Sequence, residues 1–242
     1  MVPKHVVIAP PVWDATSAIG IGGIAFIVAI LWVFLYSHTP RRRMFMAGIA
    51  MLAMSLSAGL AFSGVLSRFD FMPPPMAIMI VSVFAMAFGF GFSSWGKDAA
   101  VHCSFAVLVG LQSFRLPLEL VMHHAGNLKI MPVELSYGGY NFDIGTGLGA
   151  LIILIMYLAK RDVPRWALWA WNIYGTLCLV AITIIALTTS PMVRLFGDTK
   201  GHVNTWVLYF PYVWLPVVLV TIAVLTHVVV WRKLLSTPAS QG

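Results

Sequence analysis

Charged residues are scarce in this chain. Of 242 residues, 15 are Lys or Arg and 8 are Asp or Glu, so charge makes up 10% of the sequence and hydrophobic residues 60%. Soluble globular domains carry roughly a quarter charged side chains, and this composition excludes that class. Cysteine is scarcer still. Cys103 and Cys178 are the only two, and they fall at different depths in apolar segments of opposite direction, which argues against a disulfide framework. The signatures of soluble catalysis are also missing: there is no phosphate-binding glycine loop, HExxH, serine elbow or CxxC. Gly145, Gly147 and Gly149 alternate, but they follow a loop and open an apolar helix, which is not a nucleotide fingerprint. No hydrophilic stretch is long enough to form a second domain.

A mean hydropathy of +0.90 instead accompanies a series of long apolar runs. Crossing a hydrocarbon core of about 30 Å takes roughly 20 residues at helical rise. Seven segments are read as spans: 16–37, 44–66, 75–92, 99–121, 142–158, 166–187 and 207–230. The expected fold is all-α, a single integral membrane bundle of about seven transmembrane helices. The first apolar run follows Asp14 and the pair Pro10 and Pro11 rather than a basic leader, so the first helix is expected to be retained.

Orientation follows from the loops. Arg41, Arg42, Arg43, Lys97, Lys160, Arg161, Arg165, Arg232 and Lys233 lie on one face, against Lys4, Arg68, Lys129, Arg194 and Lys200 on the other. The first face is expected to be cytoplasmic, leaving the N-terminus outside and the C-terminus inside, in the cell (inner or plasma) membrane. The net charge of +7 then reflects topology and anionic lipid, not nucleic acid. Expected partners are the bilayer, a small-molecule or lipid ligand, and a second copy or another subunit of a membrane complex. Trp166, Trp169 and Trp171 at one end, and Trp206 and Tyr209 at the other, are read as interfacial anchors. Gly20 and Gly23, and the step Gly145 to Gly149, are read as helix contacts.

Polar side chains inside the apolar runs carry the functional reading. Gln112, Arg115 and Glu119 are spaced by three and then four residues, which stacks them on one helix face. Ionisable groups at that depth are costly, so the face is expected to look into protein. Arg115 is placed in the outer third of the bundle, with His123 and His124 above it and with Asn141 and Asp143 returning beside it. Arg115 and Glu119 are suited to a mutual ion pair. Arg115, with Gln112, Asn141, His123 and Tyr212, could instead bind or transport a small anionic or proton-coupled solute, with Glu119 or Asp143 carrying a proton. An alternative is an enzyme using either carboxylate as general acid on a lipid- or isoprenoid-like substrate, and another is a structural or assembly subunit in which the triplet is a packing lock. No metal set is drawn, because His123 and His124 are adjacent rather than on one helix face. His102 and His227 fall at similar depth on the cytoplasmic side and could flank a haem, although no second pair matches them outside. Pro211 and Pro216 are expected to bend the last span, and Pro117 to loosen the turn between Arg115 and Glu119.

Seven spans with an external N-terminus also describe two known plans. The three-plus-one-plus-three plan of sugar transporters is disfavoured because spans one and five lack a kinking proline and the middle span carries the polar triplet. A rhodopsin-like plan is disfavoured because the last span has no lysine for a Schiff base.

Overall fold

A computed structural model describes residues 8–236, and among these the regular secondary structure is all helical, without strands. Lys4, used above in the charge comparison, lies outside the described residues. The helices are α1 (Ala15–Tyr36), α2 (Pro40–Phe62), α3 (Pro75–Phe92), α4 (Ser94–His102), α5 (Phe105–Leu111), α6 (Arg115–Asn127), α7 (Ile144–Leu158), α8 (Arg165–Thr188) and α9 (Thr221–Ser236). A 3-10 turn at Gln112–Phe114 joins α5 to α6 in one rod, and a π-helical stretch at Leu215–Val220 runs into α9. Six of the resulting helices are long and apolar enough to cross a membrane, as expected of a multi-pass membrane protein.

Local chemistry sets the boundaries. Asp14 caps α1 by accepting from the Ser17 backbone N–H at 2.8 Å. Thr39 caps α2, with Pro40 in its first turn. The third span begins at Pro75 as expected. The fourth and seventh spans do not start where hydropathy alone places them. Cys103 is extended, and the Ser104 hydroxyl accepts from the Val107 N–H at 3.3 Å, so a new helix begins there and α4 becomes a separate nine-residue piece. The spanning rod is therefore Phe105–Asn127, six residues later than expected. In the last span Pro211 and Pro216 each lack a backbone donor. Trp206–Leu208 is a 3-10 turn, irregular turns follow to residue 213, and the spanning helix starts at Leu215. The fifth segment forms a helix of only 15 residues, shorter than the other six.

The core is built around α9, which packs on α3, α4, α5 and α8, while α1 packs on α6 and on the π stretch. Val229, Val230 and Leu234 of α9 are wholly buried. On α2, by contrast, Met51, Leu52 and Leu56 are exposed, the face an outer helix turns to lipid.

Candidate buried polar site and neighbouring cavity

The shift in span boundaries moves Arg115 to the middle of the Phe105–Asn127 rod and His227 to the middle of the Leu215–Ser236 helix, and they meet there. Arg115 Nη1 lies 3.0 Å from His227 Nε2, and Arg115 Nε lies 2.7 Å from Asp143 Oδ2. A guanidinium has no acceptor, so His227 Nε2 accepts and Nδ1 carries the ring proton. That proton is directed to Asn172 Oδ1, 2.7 Å away. The imidazole also stacks on Trp171, with ring centroids 5.0 Å apart, and the Trp171 indole N–H donates to the Thr146 carbonyl at 2.9 Å. Four elements thus converge: α6, α7, α8 and α9.

Two glycines make room for this convergence. A Cβ on Gly147 would collide with the backbone of Arg115 and Leu116, and one on Gly175 with the His227 ring and the Thr146 methyl. Gly147 therefore lets α7 lie against the start of α6, and Gly175 lets α8 lie against His227. The expected glycine step also packs, Gly145 against Tyr174 and Gly149 against Trp171, and Gly20 meets Val121. Gly23 faces open space and is not a helix contact.

One turn beyond Arg115, Glu119 Oε1 accepts from Asn141 Nδ2 at 2.7 Å. The same amide donates to the Leu135 carbonyl at 3.1 Å, and Asn141 Oδ1 accepts from the Asp143 N–H at 3.2 Å. Asn141 thus organises the segment leading into α7 and links Glu119 to Asp143. Among the described residues no ion pair joins Arg115 to Glu119. The expected mutual lock is replaced by the longer-range Arg115–Asp143 pair, because α7 is brought close enough at Gly147 for Asp143 to reach the guanidinium.

The remaining expected site residues are distributed as follows. Gln112 is wholly buried, and neither of its amide heteroatoms has a partner. Glu119 Oε2, Asp143 Oδ1 and the Tyr212 hydroxyl are also buried without partners. Tyr212 sits against Trp206, with centroids 5.0 Å apart. His123 stacks on Tyr137 at 4.2 Å, away from the Arg115 cluster. His124 turns instead to Asp14, with Nε2 3.2 Å from Oδ2. His102 lies on α4 with Nδ1 2.9 Å from the Asp98 carbonyl. No contact among the described residues joins it to His227, whose ring nitrogens both face other partners. The expected haem pair does not assemble. Trp166 is exposed as an anchor should be, but Trp206 and Trp171 are buried core. Tyr209 donates to the Ile8 carbonyl at 3.2 Å.

Asn172 and Thr146 belong to the network without a role expected from the sequence, and Trp171, expected as an interfacial anchor, is instead part of it. Asn172 carried a usable signal, an amide in the apolar run from Trp166 to Leu187.

Beside the network lies a cavity of about 290 Å³. Its walls come from α3 (Ala77, Ile80, Phe84) and α8 (Ile182, Ala186), and Leu215, Pro216 and Val220 of the π stretch also line it. Val81, Leu187 and Met192 at its rim are exposed, so it opens on the flank of the bundle. Met122 and Leu135 form the wall nearest the polar network. Two further lining residues have buried polar atoms without partners, an acceptor at Asn204 Oδ1 and a donor at Trp206 Nε1. No family model matches the chain, and no curated protein or solved structure matches it significantly.

Proposed function

We propose that this multi-pass membrane protein binds a mainly apolar, lipid- or isoprenoid-like ligand in the cavity between α3 and α8, with a small polar head. The observation that carries the reading is the cavity itself: about 290 Å³, lined chiefly by aliphatic and aromatic side chains and open at its flank. Ligand sites of this kind combine an apolar wall with a few convergent polar groups. Asn204 Oδ1 and Trp206 Nε1 offer one acceptor and one donor, the complement of a single hydroxyl. Glu119 lies one turn before the wall residue Met122, and Asn141 holds both Glu119 and the Leu135 carbonyl. In an enzymatic form of this function, Glu119 is the general acid and Asn141 its positioning residue. The arginine-rich face lies in the cytoplasm of a cell membrane in this reading, with the cavity toward the outer leaflet.

Photocrosslinking of the purified protein with a diazirine-bearing isoprenyl alcohol tests the proposal. Saturable labelling of α3 and α8 peptides is expected, and Ala186→Trp, which fills the cavity, should abolish it while the protein still folds. Labelling that stays unsaturable, or that survives the filled cavity, overturns the reading.

A second reading, proton-coupled handling of a small solute, rests on the polar cluster. One guanidinium there is paired with the Asp143 carboxylate, Glu119 lies one turn further along and is held by Asn141, and several polar atoms are without partners. Arg115 is already engaged by Asp143 and His227, so an anion would have to displace Asp143. Proton uptake by proteoliposomes that is lost in Glu119→Gln would favour this reading over the first.

A further inference from the structure

A second cluster lies away from the buried site, where the α1–α2 linker meets α4. His38 stands in the three-residue linker between α1 and α2, and Asp98 and His102 stand four apart on α4, one above the other on the same helix face. One ligand atom from each of the three lies within 4.8 Å of those of the other two. The His38 and His102 rings are 5.3 Å apart. We propose that His38, Asp98 and His102 hold a divalent first-row transition-metal ion.

The surrounding contacts prepare each group for that role. His102 Nδ1 lies 2.9 Å from the Asp98 backbone carbonyl. When it donates there it fixes the tautomer and leaves Nε2 as the lone-pair donor, the outer-shell arrangement that orients metal-bound histidines. The Asp98 Oδ2 oxygen is held by Arg42, which fixes the carboxylate and leaves Oδ1 on the side of His102, 3.3 Å from Nδ1. Two imidazoles and one carboxylate suit Zn²⁺ or Fe²⁺ and leave coordination positions for water. The His102 side chain is 55% exposed, so an ion can reach the site from solvent. Cys103 is not counted as a ligand: its sulfur lies 3.8 Å from His38 Nε2 but turns its proton to the Leu35 carbonyl. A bound ion would tie the α1–α2 linker to α4 across the basic face of the bundle.

Titration of the chelator-treated, full-length protein with zinc chloride tests the proposal by calorimetry and thermal shift. One equivalent should bind and raise the melting temperature. His38→Ala and His102→Ala should each weaken binding at least about tenfold, while His124→Ala and Cys103→Ser leave it unchanged. Because the His102 ring is exposed, H102A carries the test even where H38A does not fold. Equal zinc binding by wild type and H102A overturns the site, as does absence of stoichiometric binding or its loss in Cys103→Ser. Iron(II) titrated in parallel shows which of the two ions the set prefers.

Discussion

Arg115 and His227 are 112 residues apart in the chain and 3.0 Å apart in space, and the contact can have only one polarity. Arginine donates, His227 Nε2 accepts, and the ring proton on Nδ1 goes to Asn172. The network therefore has a direction, running from a fixed cation through an imidazole to an amide. Each member depends on the next for its orientation.

Breaking the buried ion pair from one side should be severe. Asp143→Ala leaves Arg115 uncompensated, and a loss of about 3–5 kcal/mol is expected. Arg115→Ala should cost a similar amount, and the double variant should recover much of the loss. The same cycle on Arg115 and Glu119 should show much weaker coupling. Thermal or denaturant melts of the detergent-solubilised protein read both cycles.

Gly175→Ala and Gly147→Ala should destabilise by about 1–3 kcal/mol through overpacking. Gly147→Ala should be the worse of the two, because the new methyl meets backbone, which cannot rotate away. Gly23→Ala, facing open space, should fall within about 0.5 kcal/mol of wild type. Equal effects at all three positions would contradict the packing described here.

Replacing Asn172 with Leu removes the acceptor for the His227 ring proton. Protein yield should fall, and the imidazole nitrogen shifts of isotopically labelled His227 should move. Trp171→Phe keeps the stack but deletes the donor to Thr146, and it should be milder, about 1 kcal/mol.

Acid sensitivity has a component at the mouth of α1. Two hydrogen bonds from Ser17 hold the Asp14 carboxyl below its ordinary value of 3.8, with His124 contributing further. The folded-state pKa is thus lower than the unfolded one. The stabilisation is present above about pH 4 and is lost as pH falls through the folded value. Ser17→Ala should lower the melting temperature near neutral pH and flatten its fall below pH 4. A parallel offset at every pH would rule this linkage out.

The membrane class was legible from composition, because few other architectures tolerate so little charge. Arg115, Glu119 and Asp143 were legible as a group from their cost in lipid. Their pairing was not, because helix spacing brings Arg115 near Glu119 but says nothing of α7, which reaches Arg115 only where Gly147 removes a side chain. The depth of His227 was misread for a related reason. Pro211 and Pro216 delay the last helix to Leu215, eight residues later than expected, so His227 falls near the middle of that apolar helix and not close to its end. Trp206 shows the limit of belt rules: an indole at an interfacial position in sequence is buried in the wall of a cavity. The cavity itself had no sequence signal, since it is a gap between helices 100 residues apart.

The shortness of α7 bears on how it is seated. Fifteen residues rise only about 22 Å, less than the roughly 30 Å of hydrocarbon, and the helix begins beside a carboxylate. Such a segment is poorly equipped to partition into lipid alone. Its stable seat is supplied by α6, synthesised just before it, whose Arg115 neutralises Asp143 and whose backbone fits against Gly147. The seat of α7 is thus a docking surface on an earlier helix, and chain order places that surface before the helix that fits it.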